Sequence, residues 1–345
     1  MRIATAAAVL LAIALLGCGG SSAPVRFSPD VPQPAAGQYE PDTARPALPK
    51  PSTVTYSGRQ TMDIYRPPKR FAGPRPVIIW LHPGGWTIAD YKPGVRIYYP
   101  LIERQVGRGY ALAAVSYRLV NGKQPWNRQP NRFPAPLQDA KAAIRWIKAN
   151  ASRYGIDPRR VILAGATSGG QLALLVPLTP GRYEPPNMPA ALRAQNEKVL
   201  GVVGIAAATD LWILRKMPDF YGFNADLAAA RHLGCDYPAH CTAAQVARAS
   251  PLAYVRGGGR RALPPIFLAY GLQDPFPGKP IVALGHGRPL RDAWRRAAGS
   301  ARAAFYDEVP EAGHFLGRSE NEDHGHINRA VFERWLDEVS TGRLR

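Results

Sequence analysis

The apolar positions of this chain fall into short unbroken runs separated by amphipathic stretches, and that pattern predicts its elements. "PVIIWLH" (76–82), "YALAAVSYRL" (110–119), "RVILAG" (160–165), "VLGVVGIAA" (199–207), "PPIFLAYG" (264–271) and "AAFYDEV" (303–309) are such runs. Continuous apolarity over so few residues is what strands buried on both faces require. "TVTYS" (53–57) and "TMDIY" (61–65) flank Gly58-Arg59 and predict an opening pair of strands. Helices are predicted over "GVRIYYPLIERQV" (94–106), "GGQLALLV" (169–176) and "HINRAVFERWLDEV" (326–339). In "PLQDAKAAIRWIKANASRYG" (136–155), Ala140, Ile144, Trp146 and Ile147 recur at helical spacing and Gly155 closes the helix. Strands alternating with helices imply an α/β class, a mainly parallel sheet with helices on both faces. The stretch 209–262 fits neither period and reads as an irregular inserted cap; no internal repeat is present.

The two ends change the domain picture. After Arg2, the apolar run "IATAAAVLLAIALLGC" is too short and too abruptly ended for a membrane span and reads as an export signal. Leu15-Leu16-Gly17-Cys18 resembles a bacterial lipoprotein cleavage box, which implies a signal over 1–18 and lipid on Cys18; an ordinary signal peptide is the alternative. Residues 19–51 are rich in Pro, Ala, Gly and Ser without periodicity, a tether rather than a folded segment. One domain over 52–345 then remains, placed by this reading at the bacterial cell envelope, facing the periplasm or exterior. Besides Cys18 there are two cysteines, Cys235 and Cys241 in "CDYPAHC". Export and close spacing favour a disulfide over two free thiols. A zinc site is not expected, because His240 is the only histidine near them. The formal net charge of +19 comes mostly from scattered arginine, without basic tracts interleaved with aromatics. It points away from nucleic acid and towards a solvated surface that also helps hold the protein near anionic lipid or acidic polymer at the cell envelope.

Three segments carry candidate chemistry. In "RRVILAGATSGGQLAL" a strand passes through small residues into a helix, the setting in which a nucleophile is presented on a tight turn. Gly165-Ala166-Thr167-Ser168-Gly169 puts threonine at the centre of a Gly-x-Ser-x-Gly frame, and a one-residue shift puts Ser168 there. Strand register favours Thr167; the strain of a β-branched residue at positive φ favours Ser168. "IFLAYGLQD" ends a strand in Gly271-x-x-Asp274, and "VPEAGHFL" sets His314 on the loop after the last strand. A candidate nucleophile, acid and histidine thus follow one another along the chain, each at or after a strand end, and Thr167, if it takes the turn, is expected within hydrogen-bond reach of His314. "WLHPGGW" (80–86) offers the amides of Gly84 and Gly85, but none from Pro83, to an oxyanion. Asp139 and Asp210 read as structural, and His324 and His326 as solvent-facing or capping groups.

"HPGGW", "SYRL", "FPAPLQDAKAAIRWIKANASRYGIDPRRVILAG", "ATDL", "ASPLAYV", "GLQD" and "EAGHF" follow one another over residues 52–340. In that order they resemble the His-Gly-Gly-Gly-Trp branch of α/β-hydrolase esterases, close to feruloyl- and acetyl-esterase-like and hormone-sensitive-lipase-like groups. The chain departs from that family at Pro83, where glycine is usual, and at Thr167, where serine is. The resemblance implies an α/β-hydrolase fold and a carboxylic-ester hydrolase acting through an acyl-enzyme. Its catalytic residues would be Thr167 or Ser168 with Asp274 and His314, with Gly84 and Gly85 as oxyanion donors. Such chemistry needs no metal or organic cofactor, and the partner it implies is a small-molecule or carbohydrate ester. The membrane would be met through the lipid anchor alone. The threonine keeps two other readings open: a catalytically impaired envelope binding protein, and a formamidase-like amide hydrolase.

Overall fold

The computed structural model describes residues 48–88, 100–120, 125–217, 223–257, 259–274, 280–314, 316 and 327–344. Cys18 and the signal, most of the tether, His324 and His326 lie outside them. Eight strands form one sheet in the order β1-β2-β4-β3-β5-β6-β7-β8. They are β1 (Ser52–Ser57), β2 (Gln60–Tyr65), β3 (Arg75–Leu81), β4 (Ala111–Val115), β5 (Ile156–Ala166), β6 (Gly201–Ile205), β7 (Ile266–Gly271) and β8 (Ala304–Val309). β2 runs antiparallel to β1 and β4, and every other pairing is parallel. The carboxyl ends of β3 to β8 therefore share one edge of the sheet.

Helices cover both faces, which explains the continuous apolar runs. Alternate residues of β3 go to opposite cores: Ile79 and Leu81 to one, Ile78 and Trp80 to the other. The first core is closed by α2 (Ala135–Ala149) and α3 (Ser168–Leu178), the second by α1 (Pro100–Gly107) and a C-terminal helix over 329–340. The expected helix over 94–106 is described only from Pro100. A short α4 (Ala190–Arg193) precedes β6.

Between β6 and β7 the expectation of irregular chain is corrected. The segment holds a 3-10 helix (Leu211–Lys216), α5 (Ala225–Leu233), α6 (Ala243–Ala247) and α7 (Pro251–Arg256). The helices are too short to show a period, and side-chain caps define α5 and α6 instead. Asn224 accepts from the Leu227 amide at 2.6 Å, and Thr242 with Gln245 forms a reciprocal capping box. Cys235 and Cys241 form a disulfide just after α5. The hydrophobic pattern also missed α8 (Arg288–Ala298), whose sequence "RPLRDAWRRAA" buries only Leu290, Ala293, Trp294 and Ala297. Its arginines tie it down instead: both Nε and a terminal nitrogen of Arg295 donate to Ala304 O, and Arg288 pairs with Glu308. The closing helix α9 (Arg329–Ser340) starts three residues later than expected, because the Asn328 side chain caps it at the Val331 amide, 3.1 Å away.

Candidate active site

β5 ends at Ala166 and α3 begins at Ser168, so one residue makes the whole turn. That residue is Thr167, with φ 47° and ψ −113°. The turn is tight because backbones cross there. A Cβ added to Gly165 would lie 2.4 Å from the Gly169 carbonyl oxygen, and one on Gly169 would lie 2.1 Å from that of Leu81. The Thr167 amide donates to Ile205 O at 2.8 Å, and its carbonyl accepts from the Gln171 amide at 3.0 Å. A β-branched residue at positive φ stores on the order of 1–3 kcal/mol of strain.

Ser168 is the first residue of the helix and is buried, its hydroxyl 3.2 Å from that of Tyr117. Tyr117 donates its own proton to His82 O at 2.8 Å, so Ser168 is the donor of the pair. The half-buried Thr167 hydroxyl makes no hydrogen bond among the described residues. The hydrogen bond expected between Thr167 and His314 is thus not formed. A branched Cβ leaves few staggered directions for the hydroxyl, and the backbone fixes where they point.

The acid and the histidine do come together. Asp274 follows β7 and is fully buried; its Oδ2 lies 2.7 Å from Nδ1 of His314. The histidine loop rests directly on the strand end, where a Cβ on Gly271 would meet the Ala312 carbonyl oxygen at 2.1 Å. Gln273 N also donates to Ala312 O at 2.9 Å. With Nδ1–H given to the carboxylate, Nε2 of His314 carries the basic lone pair.

A second histidine, unread in the sequence, lines this region. His286 is buried, and its Nδ1 accepts from the amides of Thr209 and Asp210, each at 3.2 Å. Burial first, and the charge of His314 second, hold its imidazole at about 3, so it stays neutral. No local pattern could have shown this, since His286 sits in a short π-helical turn (Ala283–Gly287) whose partners come from the β6 side. Asp139 and Asp210 take the structural places expected of them. Asp139 binds Nε of Arg118 at 2.9 Å, and Asp210 caps the 3-10 helix at the Trp212 amide, 3.1 Å away.

The glycine loop follows β3. Gly84, Gly85 and Trp86 have φ of 112°, 57° and 62°. A Cβ on Gly84 would fall 2.0 Å from Ile88 O, and one on Gly85 would fall 2.2 Å from the Phe223 ring, so both positions exclude a side chain. Among the described residues the amides of Gly84, Gly85 and Ser168 donate no hydrogen bond. Trp86 pins the loop: its Nε1 donates to Gln171 Oε1 at 3.1 Å, and its carbonyl accepts from the Val120 amide at 2.9 Å. Its ring stacks on His232 of α5 with centroids 4.2 Å apart. Tyr117 ties His82, at the loop's start, to Ser168, at the start of α3. "SYRL" contained that tyrosine, but its role needed the fold.

The BD-FAE family model matches residues 62–279. The chain belongs to this family. The matched stretch contains Gly84, Gly85, Thr167 and Asp274 and stops before His314. This BD-FAE member is 28% identical over 260 residues to esterase LipQ of Mycobacterium tuberculosis, covering 74% of this chain and 54% of LipQ. It is 25% identical over 288 residues to the probable carboxylic ester hydrolase LipM of the same organism, covering 82% and 59%. The chain thus spans between half and three fifths of the length of these relatives. Among solved structures it resembles a truncated carbohydrate esterase from gut microbiota, with TM-score 0.66, 19% identity and coverage of 86% of this chain and 100% of the other. Esterase 2 of Thermogutta terrifontis with bound propionate gives TM-score 0.62, 21% identity and coverage of 87% and 97%. The fold is that of an α/β-hydrolase.

Proposed function

We propose that this protein hydrolyses carboxylic esters through an acyl-enzyme on Thr167. The observation that carries the reading is the buried Asp274 bonded to His314 at the same sheet edge as the strained turn at Thr167. His314 Nε2 would take the Thr167 proton as the oxygen attacks the ester carbonyl carbon. The amides of Gly84, Gly85 and Ser168 would hold the oxyanion of the tetrahedral intermediate. The protonated histidine then gives its proton to the departing alkoxide, and a water activated by His314 cleaves the acyl-threonine. Asp274 holds the imidazole tautomer throughout. The expected ester is small or carried on a carbohydrate. Lipidation at Cys18 would keep the enzyme at the cell envelope.

The competing reading is a binding protein on a hydrolase fold, favoured by the Thr167 hydroxyl having no hydrogen bond among the described residues. Turnover of p-nitrophenyl acetate and butyrate by protein lacking residues 1–18 separates the two. Activity well above that of His314→Ala is expected. Activity equal to that of His314→Ala leaves the binding protein, and cleavage of an anilide in preference to the esters leaves the amide hydrolase.

A further inference from the structure

Several exposed arginines of this chain gather at one edge of the folded unit. The turns that lead into the parallel strands all lie at the amino edge of the sheet, opposite the candidate site. Arg256 ends α7, Arg260 and Arg261 lie in the turn before β7, and Arg296 lies in the last turn of α8; all four are exposed. They are neighbours in space. The Arg261 amide donates to Ala297 O at 2.9 Å, and a Cβ on Gly299, which caps α8, would lie 2.8 Å from Arg260 Cζ. Among the described residues none of the four forms an ion pair.

The polarity continues across the sheet. The turn between β2 and β3 exposes Arg66, Lys69 and Arg70 and contains no acidic residue. The acidic groups near this edge are paired: Glu197 is buried between Lys141 and Arg145, Asp157 binds Arg159, Asp337 binds Arg108, and Glu338 binds Arg334 and Arg302. Exposed cations without a carboxylate partner, gathered on one side of a molecule, create a potential that an anionic surface can meet with many contacts at once. An array of exposed cations drawn from separate turns suits an extended anionic surface better than a single small ligand.

A second observation gives the direction. Because β1 is antiparallel to β2, and β2 to β4, β1 runs parallel to the central strands. Its first residue, Ser52, is therefore at the same amino edge, and Leu48 packs against the core that α1 and α9 close. The preceding 47 residues, with Cys18 among them, join the folded unit on the basic side.

We propose that the amino edge of the sheet is a docking face for an anionic phospholipid bilayer, centred on Arg256, Arg260, Arg261 and Arg296. In that pose the carboxyl edge, with Thr167 and His314, faces away from the bilayer into the aqueous phase. The face is independent of the proposed hydrolysis and is tested without it.

The test is co-sedimentation of protein comprising residues 19–345, which lacks the lipid, with large vesicles. Binding to vesicles containing phosphatidylglycerol is expected, with none to pure phosphatidylcholine and a steep loss on raising the salt. The triple variant Arg256→Glu, Arg260→Glu, Arg261→Glu should bind at least about a hundredfold more weakly, since each lost cation near the surface is worth roughly a fivefold factor. A second triple variant, Arg128→Glu, Arg215→Glu, Lys216→Glu, makes the same change in net charge away from this edge and should bind within a fewfold of wild type. Thermal melts of both variants check folding, and glutamine replaces glutamate in any variant that melts early. Equal losses in the two variants would reduce the effect to net charge and overturn the proposal. Equal binding to charged and neutral vesicles would also overturn it.

Discussion

Thr167 concentrates the tension of the site in one side chain. The turn wants a residue free of a Cβ, whereas the chemistry wants a hydroxyl, and threonine adds a methyl that serves neither. Thr167→Gly should therefore stabilise the fold by about 1–2 kcal/mol in urea melts while abolishing ester turnover, because it removes strain and nucleophile together. Thr167→Ser keeps the hydroxyl and frees its rotamers, so kcat for p-nitrophenyl butyrate should rise at least about tenfold. Ser168→Ala should leave turnover within about threefold of wild type and cost about 1 kcal/mol of stability, the value of its bond to Tyr117. Loss of all activity in Ser168→Ala, with activity kept in Thr167→Ala, would move the nucleophile by one residue. Two buried histidines set a pH dependence at this same scale. Burial and Arg248 hold His232 at about 3, and burial and His314 hold His286 at about 3. Both folded values lie below the unfolded value near 6.5, so the unfolded chain binds more protons between pH 3 and 6.5. The stability they contribute is present above about pH 6.5 and lost as pH falls. From pH 6.5 to 5 the pair should account for a loss of about 3 kcal/mol. His232→Phe, which retains a ring against Trp86, should roughly halve that loss in urea melts.

At the scale of elements, the segment between β6 and β7 holds the glycine loop in place. Phe223 covers Gly85, and His232 of α5 covers Trp86. The disulfide closes the chain directly after that helix. Cys235→Ser with Cys241→Ser should cost about 2 kcal/mol, the entropy of a loop with a separation of 6 residues, and reductant should lower the wild-type midpoint equally. His232→Ala removes the stack as well as the titrating group. It should lower kcat more than it raises KM, because it loosens amides proposed to act on the transition state, and His232→Phe should restore kcat. These helices and α8 were hidden from hydrophobic periodicity for two reasons. The helices before β7 are no longer than Ala225–Leu233, and α8 has four buried residues among its eleven, held by the bonds of Arg295 and Arg288.

The whole molecule turns on one crossing, where β3, β5 and α3 touch without side chains between them. A Cβ on Gly169 would collide with the Leu81 and His82 carbonyl oxygens at 2.1 and 2.4 Å, backbone atoms at and just after the end of β3. Gly169→Ala should cost about 3 kcal/mol in urea melts, since neither backbone can retreat without moving the sheet. Gly58→Ala meets nothing within 4 Å and carries only the φ penalty, so it should cost about 1 kcal/mol.

Much of this protein was determined by the sequence alone. Apolar runs such as "VIIWL" can be buried only as central strands, because both alternating sets of side chains need cover. The order of Thr167, Asp274 and His314, each at a strand end, follows from where those runs stop. Other features depended on contacts between segments distant in the chain. Which of Thr167 and Ser168 makes the turn was decided by the close approach of Gly165 to Gly169 and of Gly169 to Leu81. The bonding of Ser168 was decided by Tyr117, 51 positions away, and the neutral state of His286 by amides of Thr209 and Asp210. The clustering of arginines at one edge was decided by strand direction, which places turns far apart in the sequence side by side. Periodicity records how much of each side chain is buried, but not which backbone passes within 3 Å of it, and the chemistry of this site depends on the latter.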